Sequence, residues 1–366
     1  SSGSAVVLDV ATGEVLAMVN FPTFNPNAVG TSPRDAHRNR AVTDLMEPGS
    51  TMKPLTVAAG LEAGVITTTS LFNTSPGWIP NGKYRTTDTH NYGVLDTTGV
   101  IRKSSNVGAS LIAKRLGDAQ FDAFLRRFGY GHVTGSGFPG EAAGLFPNHQ
   151  RWSGTSKQTI SYGYGLNATP LQIATAYAAL GNGGLLHQPS FVKGQHGTPK
   201  QVLDPVIANQ VLHMMQTVTE PGGTATQAAI LGYHVAGKTG TSRKASAGGY
   251  SRRYIGYFAG LVPVEKPRFA MVVAVNDPTK GSYYGGIVSG PVFRNVMEGA
   301  LRMMDVSPDN LDAWLAAQAA AECARTRLCR GSIAGRLVRQ HGHVCRNPLR
   351  HRGRRLQRQG SQRLSG

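Results

Sequence analysis

Cysteine is missing from the first 322 residues of this 366-residue chain; its three copies, Cys323, Cys329 and Cys345, all fall near the end. The body therefore has no thiol nucleophile, no cysteine-based zinc site and no internal disulfide, which is compatible with an oxidising compartment. No window approaches the ~18 consecutive apolar residues of a membrane span. A signal peptide is lacking too: the chain opens Ser1-Ser2-Gly3-Ser4, without Met, directly on a strand pattern. We expect a fragment whose upstream portion is missing. Acidic residues are scarce, 20 against 38 Lys and Arg, for a formal charge of +18. The imbalance is local, because residues 317–366 hold twelve Arg, no Lys and one acid, leaving 26 basic and 19 acidic residues in the body. That balance is modest and makes no case for a nucleic-acid partner. With 40% hydrophobic residues the body can bury an ordinary core, and most of it lacks the signature of disorder.

Ala5-Val6-Val7-Leu8 and Val15-Leu16-Ala17-Met18-Val19 flank the turn signal Ala11-Thr12-Gly13 and read as a hairpin. Proline and glycine punctuate residues 20–49 as loop. From Ser50 to Gly181 the pattern is mostly helical, with apolar residues at three-to-four spacing in Thr56–Leu61, Val107–Leu116, Phe121–Phe128 and Leu171–Leu180. A further helix is expected over Val202–Glu220, then strands over Tyr233–Gly240, Tyr254–Leu261 and Phe269–Asn276, then a helix over Pro291–Met304. Ser307-Pro308-Asp309 has the form of a helix start, which predicts a last helix to about Ala321. The order implies an α+β domain whose sheet joins distant parts of the chain.

Three short motifs carry chemistry. Ser50-Thr51-Met52-Lys53 is followed by Pro54, a residue tolerated only in a helix's first turn, so a helix should begin near Ser50 or Thr51. Residues three apart share a helical face, which sets the Lys53 amine beside the Ser50 hydroxyl. A serine becomes a nucleophile when a base takes its proton, and burial lowers a lysine pKa enough for that task. Composition alone gives roughly one or two chance matches to so short a pattern; Ser190-Phe191-Val192-Lys193, in a loop or strand, is read as such a coincidence. Ser104-Ser105-Asn106 opens a helical run: its hydroxyl can relay a proton and its amide orient a carbonyl, or the pair can cap the helix. Lys238-Thr239-Gly240-Thr241 closes a predicted strand, with Lys238 and Gly240 on one face. There Gly240 leaves room for a substrate backbone, and Lys238 with the Thr239 or Thr241 hydroxyl can hold a carboxylate; a solvated lysine before a turn is the plain alternative. Serine β-lactamases and penicillin-binding proteins use Ser-x-x-Lys, a Ser-x-Asn-type element and Lys-Thr-Gly. Here all three occur in that order, which makes coincidence a poor explanation.

Beyond the trio, the chain resembles the class B penicillin-binding proteins, most closely their division-specific peptidoglycan D,D-transpeptidases of the FtsI type. The likeness runs over roughly residues 4–312 and includes Gly13–Met18, Glu47–Pro54, Lys103–Gly108, Ser161–Leu166, Ala236–Thr241 and Tyr284-Gly285-Gly286. It implies a transpeptidase domain over 1–316, an antiparallel sheet packed between helices, with an all-helical subdomain at about 50–190. It also implies that Ser50 attacks stem peptides ending in D-Ala-D-Ala and is acylated by β-lactams. Lys53 would be the base, Ser104 and Lys238 the route that protonates the leaving amine, and Asn106 a substrate-orienting amide. Thr239, Gly240 and Thr241 would bind substrate, and the backbone N–H groups of Ser50 and Thr241 would form the oxyanion hole. No metal or organic cofactor is implied. The family's setting is the periplasmic face of the bacterial inner membrane at the division site, beside a membrane glycan polymerase and other division proteins. These would be met through the missing N-terminal region.

Two features depart from that likeness or compete with it. Residues 317–366 resemble nothing in the family and are read as a disordered or out-of-frame basic tail, where His341, His343 and Cys345 form an incidental cluster. A serine β-lactamase would need a further carboxylate to release its acyl group, and Glu141 stands in the right region without a recognisable motif. A non-catalytic penicillin-binding sensor and a tail-borne nucleic-acid binder are the remaining alternatives.

Overall fold

The computed structural model describes residues 1–246 and 249–332. Along the chain, β1 (Ser2–Asp9) and β2 (Val15–Phe21) form the expected hairpin, followed by a short helix α1 (Arg40–Thr43) and by α2 (Lys53–Glu62). Four short strands come next: β3 (Leu71–Asn73), β4 (Trp78–Asn81), β5 (Tyr84–Thr87) and β6 (Val94–Asp96). Helices α3 (Thr97–Arg102), α4 (Asn106–Lys114), α5 (Asp118–Arg127), α6 (Ser156–Ser161) and α7 (Pro170–Gly181) follow. After a small pair, β7 (Leu185–Leu186) and β8 (Lys200–Gln201), come α8 (Pro205–Gln216), β9 (Ala236–Ser246), β10 (Gly249–Val262) and β11 (Phe269–Asn276). The chain continues through α9 (Gly285–Val288), α10 (Gly290–Met303) and α11 (Leu311–Ser332).

The main sheet is five-stranded, in the order β2-β1-β11-β10-β9, and every pairing in it is antiparallel. Strand β1 thus pairs with β11 some 270 residues later, Ser2 opposite Asn276 and Asp9 opposite Phe269. Residues 255–262 of β10 are buried on both faces, so helices must cover both. Period two decides which. Phe258 meets Phe293 of α10 edge-on at 4.9 Å, and a side chain at Gly260 would strike Phe293. Leu261, on the opposite face, touches Gly181 at the end of α7. Helix α7 is buried almost throughout its length, as a helix packed on several sides must be.

Three differences from the sequence reading have physical causes. The region expected to be helical also holds the antiparallel pairs β3–β6 and β4–β5; strands of three or four residues are too short for period two to register. Strand β9 does not stop at Gly240 but runs on to Ser246, since β10 pairs with it from Leu261 back to Gly249. The Ser307-Pro308-Asp309 run starts no helix: α11 begins at Leu311 and reaches Ser332. Asp309 instead accepts hydrogen bonds from the backbone N–H groups of His234, Val264 and Glu265. The turn at Ala11–Gly13 is made as expected, with Asp9 accepting from Ala11 and Thr12 and Gly13 at φ +77°.

The chain divides into the compact unit Ser1–Leu311 and a second unit, Asp312–Gly366. Most of the basic tail, with His341, His343 and Cys345, lies outside the described residues. No helix among the described residues is long and apolar enough to cross a membrane.

Phe293 is fully buried between α10 and the sheet. Phe293→Ala should lower unfolding free energy by about 3–5 kcal/mol, read from the midpoint of chemical denaturation at unchanged m-value.

Candidate active site

Pro48-Gly49 sets the nucleophile's segment. Gly49 takes φ +55° and donates its N–H to Gly163 O at 3.0 Å. The chain then makes one 3₁₀ turn, Gly49–Met52, before α2 begins at Lys53 with Pro54 in its first turn. The sequence reading expected a helix from Ser50 or Thr51; the turn is tighter than that. Residues three apart eclipse in a 3₁₀ turn, so Lys53 stands directly over Ser50, with Nζ 2.8 Å from Ser50 Oγ. Two buried contacts fix the turn from behind: Thr51 Oγ1 donates to Pro48 O at 2.8 Å and the Tyr177 hydroxyl of α7 donates to Thr51 O at 2.9 Å.

Lys53 has no solvent exposure. Besides Ser50, its Nζ lies 2.5 Å from Ser104 O, 3.1 Å from Ser104 Oγ and 2.7 Å from Asn106 Oδ1. The Asn106 amide is oriented by its other end, where Nδ2 donates to Thr87 O at 2.8 Å. Ser104 O and Asn106 Oδ1 can only accept. They take two N–H bonds of a neutral amine and leave its lone pair for the Ser50 O–H. Burial pushes Lys53 down to about 7, against the opposing charge of Asp88. At neutral pH a large share of Lys53 is therefore the neutral amine, beside the Ser50 hydroxyl.

Lys238 approaches from β9, also without exposure, and lies 2.8 Å from Ser104 Oγ. Its other partners are Thr239 O at 3.1 Å and Thr239 Oγ1 at 3.3 Å. Burial first, and the neighbouring Lys53 second, hold it well below the ordinary lysine range. One hydroxyl thus bridges two amines. Ser104 reaches this place in a left-handed conformation, φ +58°. The α3–α4 junction explains why. Ser104 N–H bonds to Ile101 O and Ser105 N–H to Val100 O, the paired bonds of a Schellman end in which glycine is usual at this position. Ser105 then caps α4, accepting from Gly108 N–H at 2.8 Å. The cap falls to Ser105, which leaves the side chains of Ser104 and Asn106 free to meet the lysines.

Strand β9 is the sheet's edge and lies against the nucleophile's turn. Gly240 differs from expectation: a side chain there would meet Pro48 O, Thr51 Cγ2 and Tyr257, each at 3.1 Å. Its bare face admits the Ser50 turn, whereas we had expected it to clear space for a ligand. Thr239 and Thr241 alternate to the other side and line, with Ser50, Ser104 and Asn106, a cavity of about 420 Å³. Thr239 Oγ1 is 2.9 Å from Thr224 Oγ1, and Thr241 Oγ1 accepts from Gly285 N–H at 3.2 Å. All three motifs therefore meet at one cavity. Ser190 does not join them: its Oγ is bonded within its own loop, to Val192 O and Val192 N–H. Glu141 is likewise held by Thr134 and Ser136 in a separate loop.

The sequence reading missed several residues here. Asp88 is the chief one, bound at the start of α4; it sits in a polar run, residues 86–91, with no periodicity to mark it. Thr224, Lys103 and Tyr284 also face the cavity. Tyr284-Gly285-Gly286 was visible as a stretch of likeness, without a role. Glu47, three residues before the nucleophile, takes Gly165 N–H at 2.9 Å and the Tyr250 hydroxyl at 3.0 Å on one oxygen.

Comparison with known proteins agrees with this geometry. Residues 3–298 match the family model for the penicillin binding protein transpeptidase domain. The chain is 47% identical over 312 residues to peptidoglycan D,D-transpeptidase FtsI of Escherichia coli K12, covering 85% of this chain and 53% of that protein. It is 40% identical over 311 residues to the FtsI of Buchnera aphidicola, covering 84% of this chain and 54% of that one. It thus spans about half the length of these curated relatives. Among solved structures, the transpeptidase domain of Burkholderia pseudomallei penicillin-binding protein 3 matches at TM-score 0.77 and 37% identity, over 84% of this chain and 90% of that chain.

Ser104 is strained where glycine is usual. Ser104→Gly should leave stability unchanged or raise it by up to about 1 kcal/mol, measured by thermal or urea melts, although it removes the group that joins both lysines.

Proposed function

Since the chain belongs to the penicillin-binding protein transpeptidase family, we propose that it is the catalytic part of a serine D,D-transpeptidase that cross-links peptidoglycan stem peptides. The observation that carries this reading is one hydrogen-bonded cluster in which Ser50, Ser104 and Asn106 line a single cavity and Lys53 and Lys238 stand buried behind them.

In this reading Ser50 Oγ attacks the carbonyl between the two terminal D-Ala residues of a stem peptide while Lys53 Nζ takes its proton. The C–O bond forms, the C–N bond breaks, and the departing D-Ala amine receives a proton through Ser104 from the lysine pair. Backbone N–H groups of Ser50 and Thr241 hold the oxyanion, a contribution of about 3–4 kcal/mol per donor. The close passage of Gly49 along the Thr241 backbone supports that pairing. Lys238, Thr239 and Thr241 receive the substrate's carboxylate, Gly240 contributes backbone only, and Asn106 orients a substrate amide. An amine of a second stem peptide then attacks the acyl-enzyme, which closes the cross-link and frees Ser50. A β-lactam enters the same route and leaves an acyl group. Among the described residues that line the cavity there is no carboxylate to activate water against it, which favours a transferase over a hydrolase. We place this activity in septal wall synthesis at the periplasmic face of the inner membrane, with a glycan polymerase and other division proteins as partners.

Penicillin treatment followed by intact-mass measurement and peptide mapping should give one adduct, on Ser50, absent from Ser50→Ala. A label at Ser190, or rapid turnover of a chromogenic β-lactam, would contradict the assignment. The acylation rate should rise with pH through about 7 as Lys53 loses its proton, and Ser104→Gly should lower it by roughly 10²–10⁴-fold.

A further inference from the structure

Asp88 follows β5 directly and belongs to no motif, yet it is tied to Ser105 and Asn106 and to Val107 just beyond them. Its Oδ2 accepts from Ser105 Oγ at 2.6 Å, and its Oδ1 accepts from Val107 N–H at 3.1 Å and from Asn106 N–H. A carboxylate is favoured there because the first N–H groups of a helix lack internal partners and carry positive potential. The residue before it completes the grip, since Thr87 O takes the Asn106 amide N–H. Two consecutive residues thus hold Asn106 by its backbone and by its side chain, which leaves Oδ1 facing Lys53.

We propose that Asp88 is a positioning residue for the reaction: it aims Asn106 at Lys53 and, from one layer behind, sets how basic the Lys53 amine is. This rests on the transpeptidase reading only for the role of Lys53. The layering matters physically. Ser50, Ser104 and Asn106 supply the oxygens around Lys53, and Asp88 directs its own oxygens to α4. A carboxylate bonded to the amine would keep it an ammonium ion and useless as a base. With no carboxylate nearby, burial would act unopposed, lower its pKa further and weaken it as a proton acceptor. Charge acts at each lysine: Asp88 from the loop after β5 opposes burial at Lys53, and Lys238 of β9, on the far side of the Ser104 hydroxyl, is pushed down by Lys53. The 3₁₀ turn Gly49–Met52 and helix α4 present Ser50 and Asn106, which are neutral.

The test is Asp88→Asn, which keeps a similar shape and one acceptor oxygen but removes the charge. Two quantities are followed in the full chain: the lysine side-chain NMR titration of Lys53, and the pH profile of penicillin acylation. Both the Lys53 midpoint and the acid limb of the profile should move to lower pH, by roughly half a unit to one unit. The rate plateau should fall by less than about tenfold if Asn106 stays aimed. Asp88→Ser, neutral and itself a good helix cap, is read in the same way if the first variant does not fold. An unmoved or raised midpoint overturns the proposal, and so does failure of both neutral variants to fold, which assigns Asp88 a structural role alone. If the midpoint moves but the wild-type chain takes no penicillin, the transpeptidase reading falls and the inference about Lys53 stands.

Discussion

Everything in this site depends on two lysine amines, wholly removed from water, that meet at one hydroxyl. Burying an ammonium ion carries a free-energy penalty of several kcal/mol unless it is paired, and the fold offers neither amine a direct carboxylate partner among the contacts described. Lys53 receives a backbone carbonyl, an amide oxygen and two hydroxyls instead. These oxygens solvate an amine in either protonation state, which is what a base that must give and take a proton requires. The sign of the linkage follows. Because the folded pKa of Lys53 is lowered to about 7, the unfolded chain binds more protons above that pH. This group's destabilising contribution is therefore absent above the ordinary lysine range, grows as pH falls, and is complete below about 7.

Such an arrangement persists only if the rest of the structure over-determines it. The nucleophile's turn is held by Gly163 O through Gly49 N–H, by Tyr177 from α7 and by the edge of β9. A side chain at Gly163 would lie 1.9 Å from Gly49 O, so only a residue without Cβ allows that approach. Ser104 is pressed into a backbone conformation that glycine would adopt with less strain, and its hydroxyl meets both lysines from there. The five-stranded sheet supplies the rigid frame: its edge strand β9 presents Lys238 at fixed height, and α7 and α10 clamp the sheet from both faces.

What was legible in the sequence follows from range. Long periodic runs announced themselves: β11 has the bounds that alternation and turn signals give it, α7 and α10 differ from expectation by one residue at each end, and α5 begins three residues before its apolar run and ends one residue short of it. The three motifs were legible because they are local, and their meeting was legible only through likeness to a family. Features set by tertiary contact were not. Gly240 looks like a strand terminator in isolation, but pairing with β10 carries the strand past it. Ser307-Pro308-Asp309 carries every local sign of a helix start, yet three backbone donors from other segments claim Asp309. Asp88 is silent in sequence for the same reason, since its partners lie 17 to 19 positions away.

The same layering bears on why a site of this kind transfers an acyl group and does not simply hydrolyse it. Water attacks an ester readily only when a nearby base can take its proton. The cavity beside Ser50 is lined by hydroxyls, amide groups, glycines and the lysine Lys103, with no carboxylate among the described residues. Three carboxylates outside it are each committed elsewhere. Glu47 anchors Gly165 and Tyr250, Asp88 caps α4 and Glu141 closes its own loop. Lys53, the amine in direct contact with Ser50, is surrounded by Ser50, Ser104 and Asn106. An incoming amine can be positioned by a peptide bound in the open cleft, whereas a water molecule has no such handle. In the proposed reaction, selectivity for the amine would come less from excluding water than from withholding the carboxylate that would activate it.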